Sequence, residues 1–303
     1  MRNQEDVSWC YAHAAADYLQ FYNQVPEQIS AADIAIYYNR KTLPRILRWL
    51  RGSVLSQTGL IRTALFDTSE IGYCPEEYFP SDLWTKRTMS GKDVGRVESV
   101  SIGKALLEIA TLSDQAQSGF YLRSSDLPFV YEFKGMSYQQ FSEVILQNDS
   151  GSVFNSLRSI ACDSHRKPFP KPISNVEMNF KGAATFTNID QHLSQHLPVS
   201  VDFFYGFLDN RDEYVRSIGE LHTALLMGRR LNSENNECQY LIKNSYGPDC
   251  SEYDHRHQCE AGYIWVSEQS LAHAMTSYVY ISTESSVAQT QDALRSRSPA
   301  SDY

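Results

Sequence analysis

Long apolar runs are missing from the chain, and so are Cys-x-x-Cys pairs, internal repeats and large basic clusters. Each absence closes a class. A helix needs about 20 consecutive apolar residues to span a bilayer. Without Cys-x-x-Cys, a zinc site or a redox motif loses its sequence support. Lys and Arg number 27 against 36 Asp and Glu, a net charge of −9. The largest basic groupings are Arg229-Arg230 and the Lys41–Arg51 stretch. Phosphates and anionic lipids are bound by clustered Lys and Arg, so neither nucleic acid nor membrane insertion is expected. Residues 1–25 carry Glu5 and Asp6 where a signal peptide needs a basic start and an apolar run. A soluble chain is expected, with any export signal removed or upstream.

What is present is ordinary globular material: 303 residues, 42% hydrophobic and 21% charged, enough for a sizeable core. Six cysteines fall at 10, 74, 162, 238, 250 and 259. Six are too few to carry a fold of this length as a disulfide scaffold. Cys250 and Cys259 bracket a polar loop. They are either two free thiols or a loop-closing disulfide. The exposed setting favours the disulfide, and with it an oxidising compartment.

The pattern divides along the chain. Ser8 is a candidate N-cap for a first helix, in which Tyr11, Ala14, Ala15, Tyr18 and Leu19 repeat at helical spacing. Residues 30–50 read as helical, with Ser30 as a cap and a break before Pro44. A short helix follows over Gly59–Ser69. Within 81–180, Leu106–Leu112 and Ser137–Leu146 read as helices, and Lys167–Pro172 with its three prolines as irregular. From residue 183 strands take over: Leu197–Phe204, Leu221–Met227, Gln239–Lys243, Gly262–Val266 and Ser277–Ile281, after a helix over Ile189–His196. The Ser-, Gln- and Asp-rich tail 283–303 reads as disordered. Helices followed by strands make an α+β chain. The expected organisation is a mainly helical part, 1–182, with an insertion around 81–180, then a β-rich part, 183–282.

The chemistry centres on a thiol. A cysteine is a nucleophile only as thiolate, and a helix N-terminus favours that form. Cys10 lies just inside the start of the first helix, although a Cys between Trp9 and Tyr11 also fits plain packing. A reactive thiol needs a basic partner. His165, His192, His196, His255 and His257 lie in polar or amphipathic contexts where surface exposure is the default. His222 leads directly into an apolar strand, where a polar ring must be hydrogen-bonded or used. Asn244 ends the next strand, and its amide can accept from one ring nitrogen, fixing the tautomer. A turn is the other reading of Asn244-Ser245-Tyr246-Gly247. Gln4, six residues before Cys10, could join the Cys10 N–H as an oxyanion donor, or be an ordinary surface side chain.

Together these segments resemble the papain family of cysteine peptidases. Gln4 and Ser8-Trp9-Cys10-Tyr11-Ala12 resemble its oxyanion glutamine and nucleophile block. Leu221–Gly228 resembles its histidine strand, and Tyr240–Gly247 with Gly262–Val266 its asparagine strand and the one after. Ile29–Tyr38 and Gly59–Pro80 resemble its helical segments. Tyr11 and Tyr246 stand where that family usually has Trp. The resemblance covers about residues 2–80 and 184–282. It implies an α+β fold of two lobes, one helical and one an antiparallel β-sheet or barrel, with the active-site cleft between. It also implies hydrolysis of a peptide or protein substrate by Cys10, His222, Asn244 and Gln4, with no cofactor or metal. A propeptide or inhibitor outside residues 1–303 is an implied partner, and an extracytoplasmic location is expected. The alternatives are a catalytically silent binding module and a thiol acyltransferase or amidase.

Overall fold

A computed structural model describes residues 3–4, 7–42, 59–89, 95–118, 127–173, 175–208, 221–251 and 253–282. The expected tail disorder and the break before Pro44 lie outside the described residues.

The first part is led by helices. Helix α1 spans Cys10–Asn23, α2 Ala31–Thr42 and α3 Ile61–Ile71. Alanines at 12, 14, 15 and 16 let α1 sit close against its neighbours, and all four are buried. Ser8 does not cap α1. The boundary residue is Trp9, whose side chain supplies no cap bond and is instead fully buried. Anchoring the chain there moves the first helical residue to Cys10 and leaves the first-turn N–H groups uncapped by any side chain. Ser30 does cap α2, accepting from the Asp33 N–H at 3.0 Å.

Among the described residues, 83–162 hold three strands that their pattern does not show, beside three helices where it shows two. Strands β1 (Leu83–Thr88), β2 (Val97–Ser101) and β3 (Phe129–Glu132) form an antiparallel sheet in the order β2-β1-β3. Lys86, Arg87, Glu98 and Glu132 interrupt these short strands, and that hides their period. Helices α4 (Ile102–Gln117), α5 (Tyr138–Gln147) and α6 (Val153–Cys162) pack beside them. Ser137 and Gln140 close a capping box at the start of α5. Two ties bind this region to the first helices. Cys74 and Cys162 form a disulfide across a sequence separation of 88. The buried Asp33 accepts a two-pronged bond from Arg166, at 3.0 and 2.6 Å, and lies 3.2 Å from Arg158.

A seven-stranded antiparallel sheet occupies the rest, in the order β4-β10-β5-β6-β7-β9-β8. Its strands are β4 (Val176–Phe180), β5 (Val199–Phe204), β6 (Leu221–Asn232), β7 (Glu237–Lys243), β8 (Gln258–Glu260), β9 (Tyr263–Ser267) and β10 (Met275–Ile281). Helices α7 (Thr185–Ser194) and α8 (Glu268–Ala274) flank it. Strand β4 lies before residue 183, within the stretch expected to be mainly helical, yet it pairs with β10. The sheet carries its own apolar cluster, including Val199, Val201, Phe203, Leu226, Ile242 and Ile264. Helix α1 is fastened to the sheet by an ion pair between Asp17 and Lys243, and by the Tyr18 hydroxyl accepting from the Ile281 N–H at 2.9 Å. The result is a mixed chain of helices and antiparallel sheet. Among the described residues, no helix is long and apolar enough to cross a membrane.

Candidate active site

Where the start of α1 faces β6 and the end of β7, His222 bonds Asn244, Gln4 bonds Ser245 next to Asn244, and Cys10 bonds Thr223 next to His222. Cys10 is the first residue of α1, Gln4 precedes it, His222 is the second residue of β6, and Asn244 follows β7 directly. All four are buried, with exposures of 8, 3, 3 and 1%. Cys10 and Cys238 are the free cysteines among the described residues, and Cys10 is the buried one.

His222 Nε2 and Asn244 Oδ1 lie 2.7 Å apart. The amide's orientation follows from its other partners. Asn244 Oδ1 accepts from the Ser245 N–H at 2.8 Å, and Asn244 Nδ2 donates to the Tyr253 hydroxyl at 3.0 Å. Oxygen therefore faces the ring, so Nε2 carries the proton and Nδ1 keeps the lone pair. Tyr246 stacks on the imidazole with centroids 5.2 Å apart and planes 22° from parallel. Phe203 and Tyr205 meet the same ring edge-on. Aromatic walls on this scale exclude water from the His222–Asn244 bond.

Burial dominates the electrostatics. It pushes the Cys10 thiol up to about 11, against hydrogen bonds from the Thr223 N–H and hydroxyl that favour the thiolate. Burial also pushes the His222 imidazole down to about 4, although Asn244 favours the charged ring. Near neutral pH the resting groups are thus a thiol and a neutral imidazole. Thr223 follows His222 in β6, so the contact places the Cys10 sulfur against the histidine strand.

Asp202 adds a negative neighbour. It lies opposite Thr223 in the β5–β6 register. Its carboxylate accepts from the Thr223 and Ser277 hydroxyls, both at 2.6 Å. Burial holds it above the usual carboxylate range, and its charge further disfavours the Cys10 thiolate.

Gln4 is held at two points by Ser245. Its N–H donates to the Ser245 carbonyl at 2.8 Å, and its Oε1 accepts from the Ser245 hydroxyl at 2.5 Å. Asn3 bridges Tyr246 alongside. With Oε1 taken, the Nε2 end is the one that can donate. Gly247, at φ +79°, turns the chain away directly after, in a conformation that side-chain-bearing residues rarely adopt.

Of the histidines expected at the surface, His196 and His255 are exposed, His165 and His257 are half-buried, and His192 departs from the expectation. His192 is buried against Tyr280, not exposed, and burial lowers its pKa. The His257 ring lies 2.9 Å from the Phe207 carbonyl. Cys250 and Cys259 form a disulfide that closes the loop bearing Tyr253. Sequence reasoning missed four residues here: Thr223, Ser245, Tyr253 and Asp202. The first two are immediate neighbours of His222 and Asn244, which was a usable signal. Tyr253 and Asp202 carried none.

No protein-family model and no curated protein matches the chain. Solved structures do. PepW from Lactobacillus rhamnosis aligns at a TM-score of 0.50 and 11% identity, covering 98% of this chain and 83% of its own. Digestive procathepsin L 3 from the larval midgut of Tenebrio molitor aligns at 0.43 and 13% identity, covering 93% of this chain. This chain spans 66% of the procathepsin's length. At these identities the PepW alignment is a likeness of fold.

Proposed function

We propose that the chain is a papain-like cysteine peptidase: two lobes, a cleft between them, and Cys10, His222, Asn244 and Gln4 as its working residues. The observation that carries the reading is the His222–Asn244 bond, beside a thiol that rests on the next residue of the histidine strand.

The buried environment penalises a lone thiolate and a lone imidazolium alike. Moving the Cys10 proton to His222 Nδ1 creates both charges at once, each the other's counterion. The sulfur then bonds to a peptide carbonyl carbon, and the carbonyl π electrons move onto oxygen. Gln4 Nε2 and the Cys10 N–H donate to that oxyanion. Collapse expels the amine, which takes its proton from His222 and leaves a thioester on Cys10. Water, deprotonated by His222, releases the acid. The substrate is a peptide or protein, and no step needs a cofactor. A propeptide or inhibitor acts from outside this chain. Residues 1–182, with the elaboration at 81–180, form one lobe and 183–282 the other. The disulfides favour an extracytoplasmic location.

A silent binding module is the second reading, favoured by the burial of all four side chains. Cys10→Ala separates the two. Hydrolysis of a fluorogenic peptide and labelling by an epoxide thiol inhibitor are both expected to vanish. Hydrolysis at the parent rate by Cys10→Ala would sink the peptidase reading. A parent that neither hydrolyses nor labels would favour the module.

A further inference from the structure

An asparagine amide is nearly symmetric in shape, so only its partners decide which end faces the histidine. On the oxygen side, Asn244 has two donors, His222 Nε2 and the Ser245 N–H. On the nitrogen side, Nδ2 donates to the phenol oxygen of Tyr253 at 3.0 Å. Both residues are buried, at 1 and 8% exposure, so water is a poor substitute for that oxygen.

Tyr253 does not come from the sheet. It comes from the loop that the Cys250–Cys259 disulfide closes across a separation of nine residues. The loop is pinned to the turn after β5. The Asp254 N–H donates to the Leu208 carbonyl at 2.9 Å, and the His257 ring bonds the Phe207 carbonyl. Within the loop, the buried Asp254 accepts from the Arg256 N–H at 2.9 Å and pairs with its guanidinium. That same turn supplies Tyr205, whose ring touches both His222 and Tyr246. Loop, turn and imidazole therefore form one packed unit.

We infer that Tyr253 is a positioning residue for Asn244, presented by the disulfide-closed loop, and that it sets the His222 tautomer through the amide. The inference rests on the peptidase reading only for its effect on rate. Without the phenol oxygen, the amide nitrogen is a buried donor with no acceptor. The amide is then held on its oxygen side alone, by His222 Nε2 and the Ser245 N–H, and can tilt out of the plane that fixes the imidazole. His222 then populates the form with its proton on Nδ1, which cannot take a proton from Cys10.

The test is nitrogen-edited NMR of the His222 ring in the full chain, compared with Tyr253→Phe. Phe keeps the packing and removes one atom. The parent is expected to show a single tautomer, protonated at Nε2. In Tyr253→Phe a second tautomer is expected, with kcat down about tenfold and KM within about twofold, the split expected of a group that acts on chemistry rather than binding. A thermal midpoint near the parent's confirms that the variant is folded. An unchanged tautomer overturns the inference, whatever happens to activity. The double variant Cys250→Ser, Cys259→Ser opens the loop but keeps the phenol. It should shift the His222 signals in the same direction, and an unchanged spectrum would overturn the loop's part. Hydrolysis surviving in Cys10→Ala would remove the peptidase reading while leaving the tautomer result to stand or fall alone.

Discussion

Residues 83–173 and residues 199–282 both hide polar groups inside, but they hide different kinds. The first region, against α2, buries permanent charge: Arg158 and Arg166 gather on Asp33, which is 1% exposed. The second centres on neutral groups, an imidazole, an amide and hydroxyls, set against the Cys10 thiol and one half-buried carboxylate, while its buried Asp254 pairs with Arg256 inside the disulfide-closed loop. Charges that balance one another at rest make a staple. Neutral groups one proton transfer away from charge make a site. The disulfides follow the same division. Cys74–Cys162 spans 88 residues and ties the stretch after α3 to the end of α6, whereas Cys250–Cys259 spans nine and borders the site.

The contrast can be broken at several points. Cys74→Ala with Cys162→Ala removes the long closure and should cost about 4–5 kcal/mol in denaturant unfolding, by loop-closure entropy. A cost below that of opening the nine-residue loop would reverse the assignment of which region is stapled. Asp33→Ala strands two buried guanidinium groups and should cost about 3–5 kcal/mol. His222 ring signals in that variant should match the parent's. If they move, staple and site are one network.

Acid should act on the site first. The His222 pKa lies at about 4 in the folded chain against 6.5 when free. Above 6.5 both states are neutral. As pH falls below 6.5 the unfolded chain takes up the proton and the folded one does not, so stability declines until about pH 4. The loss is about 3 kcal/mol. Urea midpoints of the parent and His222→Gln should converge as pH drops from 7 to 4.5. Parallel curves would mean that the ring is not the group resisting protonation. The smallest effect is expected from Ser245→Ala, which frees Gln4 Oε1. It should lower kcat/KM about three- to tenfold, the worth of about 1 kcal/mol. The melting temperature should move little. A large fall in melting temperature with unchanged kinetics would make Ser245 a staple too.

Much of the site was legible because chemistry and strand ends coincide. His222 stands at the mouth of an apolar run and Asn244 at the end of the next, and adjacent antiparallel strands bring such ends together. Cys10 was legible as a helix start, although Ser8 misplaced the boundary by one residue. Where side chains reach in from other elements, sequence was silent. Tyr253 sits in a polar loop whose disulfide could be left open or closed, and Asp202 interrupts a strand in the manner of any surface acid. The small sheet of β1, β2 and β3 was hidden by Lys86, Arg87 and Glu98, which pair along its rim. His192 was hidden by Gln191 and Ser194, which gave an amphipathic look to a helix face that is partly buried.

The hydrogen bond between Ser245 and Gln4 joins residues 241 apart in the chain. A ribosome making this protein therefore lays down the thiol and Gln4 early and the Ser245 clamp on Gln4 late. Through most of synthesis Cys10 has no histidine, no asparagine and no anchored glutamine. Only after Asn244 and Ser245 emerge can the two ends of the buried cluster meet. The cluster is assembled from the two ends of the chain, and a chain abandoned partway lacks its second half.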